Sequence, residues 1–149
     1  MAQVQKSVLI EHGAANMFAL VDRVEDYAQF LPWCSATDLI ERSEDVTLAT
    51  IHIDYHGVKQ NFTTRNRKEP HEWMHIGLEQ GPFLHLTGHW HFKPLAERAC
   101  KIEFRLEYEF SSRTLEKLVG PVFHHSANSF VEAFIARADA LYGDGERGP

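Results

Sequence analysis

One stretch limits what this chain can fold into more than any other, residues 112–142. Leu115, Leu118, Val119, Val122, Phe123, Ala127, Phe130, Phe134, Ala138 and Leu141 recur there at steps of three and four. That is the period of a helix with one buried stripe. Ser111 or Ser112 can cap its start, Glu116 suits the first turns, and Gly143 can stop it. Roughly 30 residues at about 1.5 Å each make about 45 Å of helix. In a chain of 149 residues only a curved sheet has enough apolar surface to cover it. Pro121 has no amide hydrogen for the carbonyl of Lys117, so a kink or a break is expected there rather than the helix end.

The rest of the chain supplies that sheet. Residues 3–11 read as a strand, with Val4, Val8 and Ile10 on one face and Leu9 on the other. Two short helices follow, one from Ala14 to Val21 and one from Asp22 to Leu31, the second ended by Pro32. From residue 35 the period changes to two. Strands are predicted over 36–44, 46–55, 59–67, 72–79, 84–93 and 99–110. Turns fall at Ser43-Glu44-Asp45, His56-Gly57, Glu69-Pro70-His71, Gly81-Pro82 and Pro94 to Glu97. Turn signals at this spacing describe an antiparallel meander. The expected architecture is α+β: a seven-stranded curved antiparallel sheet around a long C-terminal helix, with two short helices after the first strand. Residues 1–142 are predicted to form a single domain, and 143–149 a disordered polar tail.

Charge and cysteine use narrow the function classes. A formal net charge of −6 argues against a generic nucleic-acid binder. Cys34 and Cys100 stand alone, without the spacing of a zinc site or a disulfide framework. The first residues lack the basic-then-apolar pattern of a signal peptide, so none is expected, and no run approaches the roughly 18 apolar residues of a membrane span. A cytoplasmic protein is expected, either wholly so or also peripheral at the inner membrane.

The inward positions are large and aromatic. Ile53, Tyr55, Phe62, Leu86, Trp90, Phe104, Leu106 and Tyr108 come from the strands, with Phe123, Ala127, Phe130 and Phe134 from the helix. They either fill a core or line a gap between sheet and helix that takes an apolar ligand. Gly88 hints at space or a bulge there, and Leu84 is read as inward too. Phe30, Leu31, Pro32 and Trp33 are placed at the mouth of such a gap, with Trp33 either packed or exposed for membrane contact. Tyr55, Tyr108 and Asn128 are the expected donors to ligand carbonyls. Lys59, Arg65, Arg67 and Lys68 form a basic cluster, either a solvated strand face or a contact for an anionic partner. His85, His89 and His91 share the outer face without a supporting acid or cysteine, so no metal site is expected. No catalytic constellation stands out.

Several motifs together resemble a known family. Tyr27-Ala-Gln-Phe-Leu-Pro-Trp-Cys34 resembles the Tyr-x-x-Phe-Leu-Pro-x-Cys signature of the coenzyme-Q-binding START-like proteins, within the polyketide cyclase/dehydrase and lipid transport superfamily. Phe62-Thr-Thr-Arg-Asn66, Gly81-Pro-Phe83, Gly88-His-Trp-His-Phe-Lys-Pro-Leu95 and Cys100-Lys-Ile-Glu-Phe104 follow in the family's order. The resemblance is nearest to the bacterial ribosome association toxin branch. It implies a helix-grip (START, Bet v 1-like) fold. It also implies two functions, polyprenyl quinone binding in support of respiration and association with the large ribosomal subunit that blocks subunit joining. The leading expectation is a non-enzymatic carrier of ubiquinone or a similar lipid, with no required cofactor. The alternative is the ribosome-binding protein, and the third reading an aromatic polyketide cyclase/dehydrase, for which the sequence offers no acid/base set.

Overall fold

In the computed structural model, which describes residues 2–143, the strands are β1 (Ala2–Ile10), β2 (Cys34–Arg42), β3 (Val46–Tyr55), β4 (Val58–Glu69), β5 (Trp73–Gln80), β6 (Phe83–Ala96) and β7 (Ala99–Phe110). The helices are α1 (Ala14–Asp22), a 3-10 segment over Val24–Gln29, and α2 (Arg113–Tyr142). All seven strands pair antiparallel in one sheet of order β1-β7-β6-β5-β4-β3-β2. This is the expected α+β helix-grip arrangement. The predicted tail beyond Gly143 lies outside the described residues.

Local chemistry explains the boundaries. Ser112 caps α2, its hydroxyl accepting from the Leu115 amide at 3.1 Å. Gly143 ends it at φ 79°, a left-handed value that favours glycine. The β3–β4 hairpin turns on His56 and Gly57, both left-handed at φ 50° and 79°, as a tight hairpin requires. Register shifts interrupt β2, the β4–β5 pairing and both ends of β6. Such bulges bend strands, and here they curl the sheet around α2.

The structure corrects the reading in several places. Pro121 does not end helix α2, as expected, but the helix is not broken there either. The second short helix is a six-residue 3-10 turn, because α1 already extends to Asp22. Strand β6 runs through Pro94 to Ala96; Pro94 lies beyond the last residue paired with β5, so the hydrogen it lacks is not needed there. The shift between Phe83 and His85 turns Leu84 outward, 65% exposed, while Phe83 is buried. Leu118 and Leu141 of the helix stripe are exposed as well.

A buried ion pair pins the short helices to the sheet. Lys68 Nζ donates to Asp22 Oδ2 at 2.8 Å and to Thr47 Oγ1 at 2.9 Å, and Thr47 donates to Asp22 Oδ1 at 2.6 Å. Arg42 of β2 grips Glu25 with two bonds of 2.8 and 2.6 Å. That contact holds the Glu25 carboxyl at about 2, well below its usual value of 4.5.

Two predictions follow from these contacts. Lys68→Met leaves the Asp22 carboxylate without its buried partner, and urea unfolding should show a loss of about 3 kcal/mol. Glu25 has a depressed folded-state value, so its contribution is full above about pH 4.5 and is lost as pH falls through about 2. Because the pair is partly exposed, that contribution is about 1 kcal/mol or less. Glu25→Gln should remove this part of the acid dependence and leave unfolding near neutral pH only slightly changed.

Candidate functional site

Alternation along the strands sends every second side chain into the concave face, where α2 lies. Between helix and sheet is a cavity of about 70 Å³. The sheet contributes Ile51, Phe62, Thr64, Asn66, Met74, Ile76, Leu86, Trp90, Phe104 and Leu106 to its wall. Helix α2 adds Phe123, Ser126, Ala127 and Phe130, and the segment between β1 and β2 adds Val24, Tyr27 and Trp33. Aromatic rings pack around it: Trp90 lies 4.5 Å from Phe104 and 5.8 Å from Phe130, and Phe130 lies 6.0 Å from Trp33 and 6.1 Å from Tyr27. No carboxylate, histidine, lysine or arginine lines it among the described residues.

Eight of the predicted cavity residues reach this wall: Phe62, Leu86, Trp90, Phe104, Leu106, Phe123, Ala127 and Phe130. Four do not. Ile53 is buried but outside it, and Tyr55 is half-buried with its ring stacked 6.1 Å from His125. Tyr108 turns its hydroxyl to His124 Nδ1, and burial pushes that hydroxyl up to about 12. Phe134 is fully buried against Tyr27, Phe30 and Trp90. Strand period fixes a residue's face but not its distance along the strand from the gap. Gly88 adds no space, since a Cβ there would sit 3.0 Å from Ile76 and 3.2 Å from Leu106.

The proposed mouth is also corrected. Trp33 is buried and forms part of the wall, while Leu31 is fully buried, Pro32 exposed and Phe30 half-buried under the Arg137 guanidinium. Phe30, Leu31 and Pro32 do not line the cavity, and buried Trp33 offers no membrane-facing ring.

The polar groups differ from those expected. Asn128 is exposed and donates back to the His124 carbonyl. Asn128, Tyr55 and Tyr108 therefore present nothing to the cavity. Thr64, Asn66 and Ser126 do line it. Ser126 donates to the Val122 carbonyl at 2.9 Å. Asn66 is 6% exposed, and its Oδ1 has no hydrogen-bond partner among the described residues. Steps of two from inward Phe62 would have found Thr64 and Asn66 in the sequence.

The same steps place Lys68 inside, which splits the predicted basic cluster. Lys59, Arg65 and Arg67 remain on the convex face, with Arg65 tied to Glu79 at 2.9 Å. The strand register sets Arg67 beside His75, His75 beside His89, and His89 beside Arg105. A transverse row of two arginines and two histidines thus crosses four strands. The His75 and His89 rings are 4.3 Å apart, and partial burial with these neighbouring cations holds His89 below its usual value. No three His, Cys, Asp or Glu side chains are placed to hold a metal among the described residues. Cys34 and Cys100 are free thiols, buried and both raised to about 11 by burial. No helix of the described residues is long and apolar enough to cross a membrane.

Known proteins resemble this chain over nearly its whole length. The family model "Polyketide cyclase / dehydrase and lipid transport" matches residues 10–135. The ribosome association toxin RatA of Pseudomonas aeruginosa is 41% identical over 140 residues, 94% of this chain and 97% of that protein. A mitochondrial coenzyme Q-binding protein, COQ10 homolog B of Xenopus laevis, is 25% identical over 95% of this chain and 59% of that protein. The crystal structure of the Zhui aromatase/cyclase from Streptomyces sp. R1128 superposes with a TM-score of 0.80 at 15% identity, covering 95% of each chain, a likeness of fold alone. With its helix gripped by one curved sheet and its match over residues 10–135, the chain belongs to the polyketide cyclase/dehydrase and lipid transport family.

Proposed function

We propose that this protein associates with the ribosome, binding the large subunit and opposing subunit joining. The observation that carries this reading is the near full-length similarity to a ribosome association toxin, 94% of one chain against 97% of the other. It displaces quinone transport as the leading expectation, because the coenzyme Q-binding relative is more distant and the chain spans 59% of it.

The contact surface for ribosomal RNA is the convex face. Arg67, Arg105, His75 and His89 line up across it, Lys59 and Arg65 lie on the same face of β4, and the half-buried ring of Trp73 sits 5.1 Å from His75. Arginines interleaved with imidazoles and a stacking ring suit a phosphate backbone with accessible bases. Such a local row offsets the acidic whole.

A second reading stands beside it, that the cavity holds a hydrophobic ligand. Its support is the aromatic, uncharged wall around about 70 Å³. A polyprenyl quinone is one ligand of this chemistry, and a chain of several isoprene units would require Phe130 or its neighbours to move aside. Quinone binding would need no other cofactor. The cyclase reading has no such support, since no acid/base pair lines the cavity among the described residues.

Sucrose-gradient profiles with purified subunits test the leading reading. Added protein should co-migrate with the large subunit and deplete joined ribosomes, and its binding should weaken steeply between about 50 and 200 mM salt. Arg67→Glu combined with Arg105→Glu should weaken co-migration at least tenfold while preserving the fold. Failure of the unsubstituted protein to co-migrate with either subunit at low salt would overturn the ribosome reading.

A further inference from the structure

Inside the apolar cavity one side chain is out of place. Asn66 sits at the middle of β4 between inward Thr64 and inward Lys68, opposite Thr47 on β3 and Ile76 on β5. It is 6% exposed, it lines the cavity, and its Oδ1 has no partner among the described residues. A buried amide left unbonded is unfavourable, and native structures place such groups where something else completes them. Thr47 does not do so here, because its hydroxyl is taken by Asp22 and Lys68. Neither does Lys68, whose ammonium is held by Asp22 and Thr47.

The surroundings define what could complete the amide. The cavity wall carries no ionised group, so a charged ligand would lose its hydration without compensation. Trp33, Trp90, Phe104 and Phe130 favour a flat ring. Ser126, whose hydrogen is committed to Val122, can only accept from such a ring. The unpartnered atom is the amide oxygen, which only accepts, so what completes it must bring an O–H. Resting on the ligand-binding reading above, we propose that Asn66 is the polar anchor of the cavity, recognising an uncharged ring whose hydroxyl group donates to Asn66 Oδ1. This places specificity on β4, away from Tyr55, Tyr108 and Asn128.

The cavity carries its own reporters, since Trp33 and Trp90 both line it. Tryptophan fluorescence can follow titration with 4-decylphenol, an alkyl ring with one hydroxyl, and with decylbenzene, the same shape without oxygen. Nitrogen-15 NMR can follow the Asn66 side-chain amide in the unsubstituted protein. The unsubstituted protein should bind the phenol more tightly than the hydrocarbon, and the Asn66 amide resonances should shift on phenol addition. Asn66→Leu should lose up to about tenfold in phenol affinity, the worth of one buried hydrogen bond. Its affinity for decylbenzene should stay the same or rise. If the unsubstituted protein binds both probes equally and its Asn66 amide does not shift, the anchor is wrong while the cavity still binds ligands. If neither probe binds, the ligand reading falls and the anchor with it. The NMR arm decides the matter even if Asn66→Leu does not fold.

Discussion

Everything in this fold depends on covering one concave sheet face with one helix. An antiparallel sheet of seven strands can leave its outer face in water, but its inner face needs a partner. Helix α2 is that partner, and its aromatic side chains make the join. Phe134 is fully buried, with its ring 4.9 Å from Phe130, 5.2 Å from Tyr27 and from Phe30, and 5.6 Å from Trp90. Phe123 does the same one end over, 4.7 Å from Tyr108, 5.0 Å from Phe83 and 5.9 Å from Phe62. Each such ring pair adds about 0.5–1.5 kcal/mol beyond the area it buries. Between the two clusters the wall is less completely filled, and the cavity lies there, bounded by Phe123 on one side and Phe130 on the other.

The short elements after β1 have a different task. Alone they bury little, so their position has to be fixed by polar contacts to the sheet. Asp22 reaches Lys68 and Thr47, and Glu25 reaches Arg42, so the segment is tied to β2, β3 and β4. Contacts to α2 add to these: buried His12 contacts Asp139 at 2.7 Å, and Arg137 donates to Gln29 at 2.7 Å. These contacts set Val24, Tyr27 and Trp33 as the third side of the cavity. A buried ion pair is a costly way to hold an element, but it fixes one position where apolar packing would allow several.

The fold was legible because its two periods are clean. β7 alternates without exception from Cys100 to Phe110, and α2 shows its stripe, its Ser112 cap and its Gly143 stop. The site was less legible, and β4 shows why. Its inward residues are Phe62, Thr64, Asn66 and Lys68, so three of four are polar and the alternation disappears. Lys68 then looks like part of a charged run with Arg65 and Arg67, although the pleat sends it to the opposite face. Its partner, Asp22, is 46 residues away in sequence, and no local pattern announces that contact. A bulge accounts for one other misplacement: Leu84 follows a shift of register that period alone does not show.

The two functional readings use opposite faces of the same strands. Asn66 points in and Arg67 points out; Trp90 points in and His89 points out. A ligand in the cavity and a partner on the convex row therefore do not compete for the same side chains. Nor are the faces mechanically independent, because a shift of one residue along β4 would exchange them completely. The strand that sets the cavity's polar group also places Arg65 and Arg67 on the convex face, and at its end Lys68 turns inward to Asp22 and Thr47. The two readings are thus compatible in one chain, and substitutions on one face leave the side chains of the other intact.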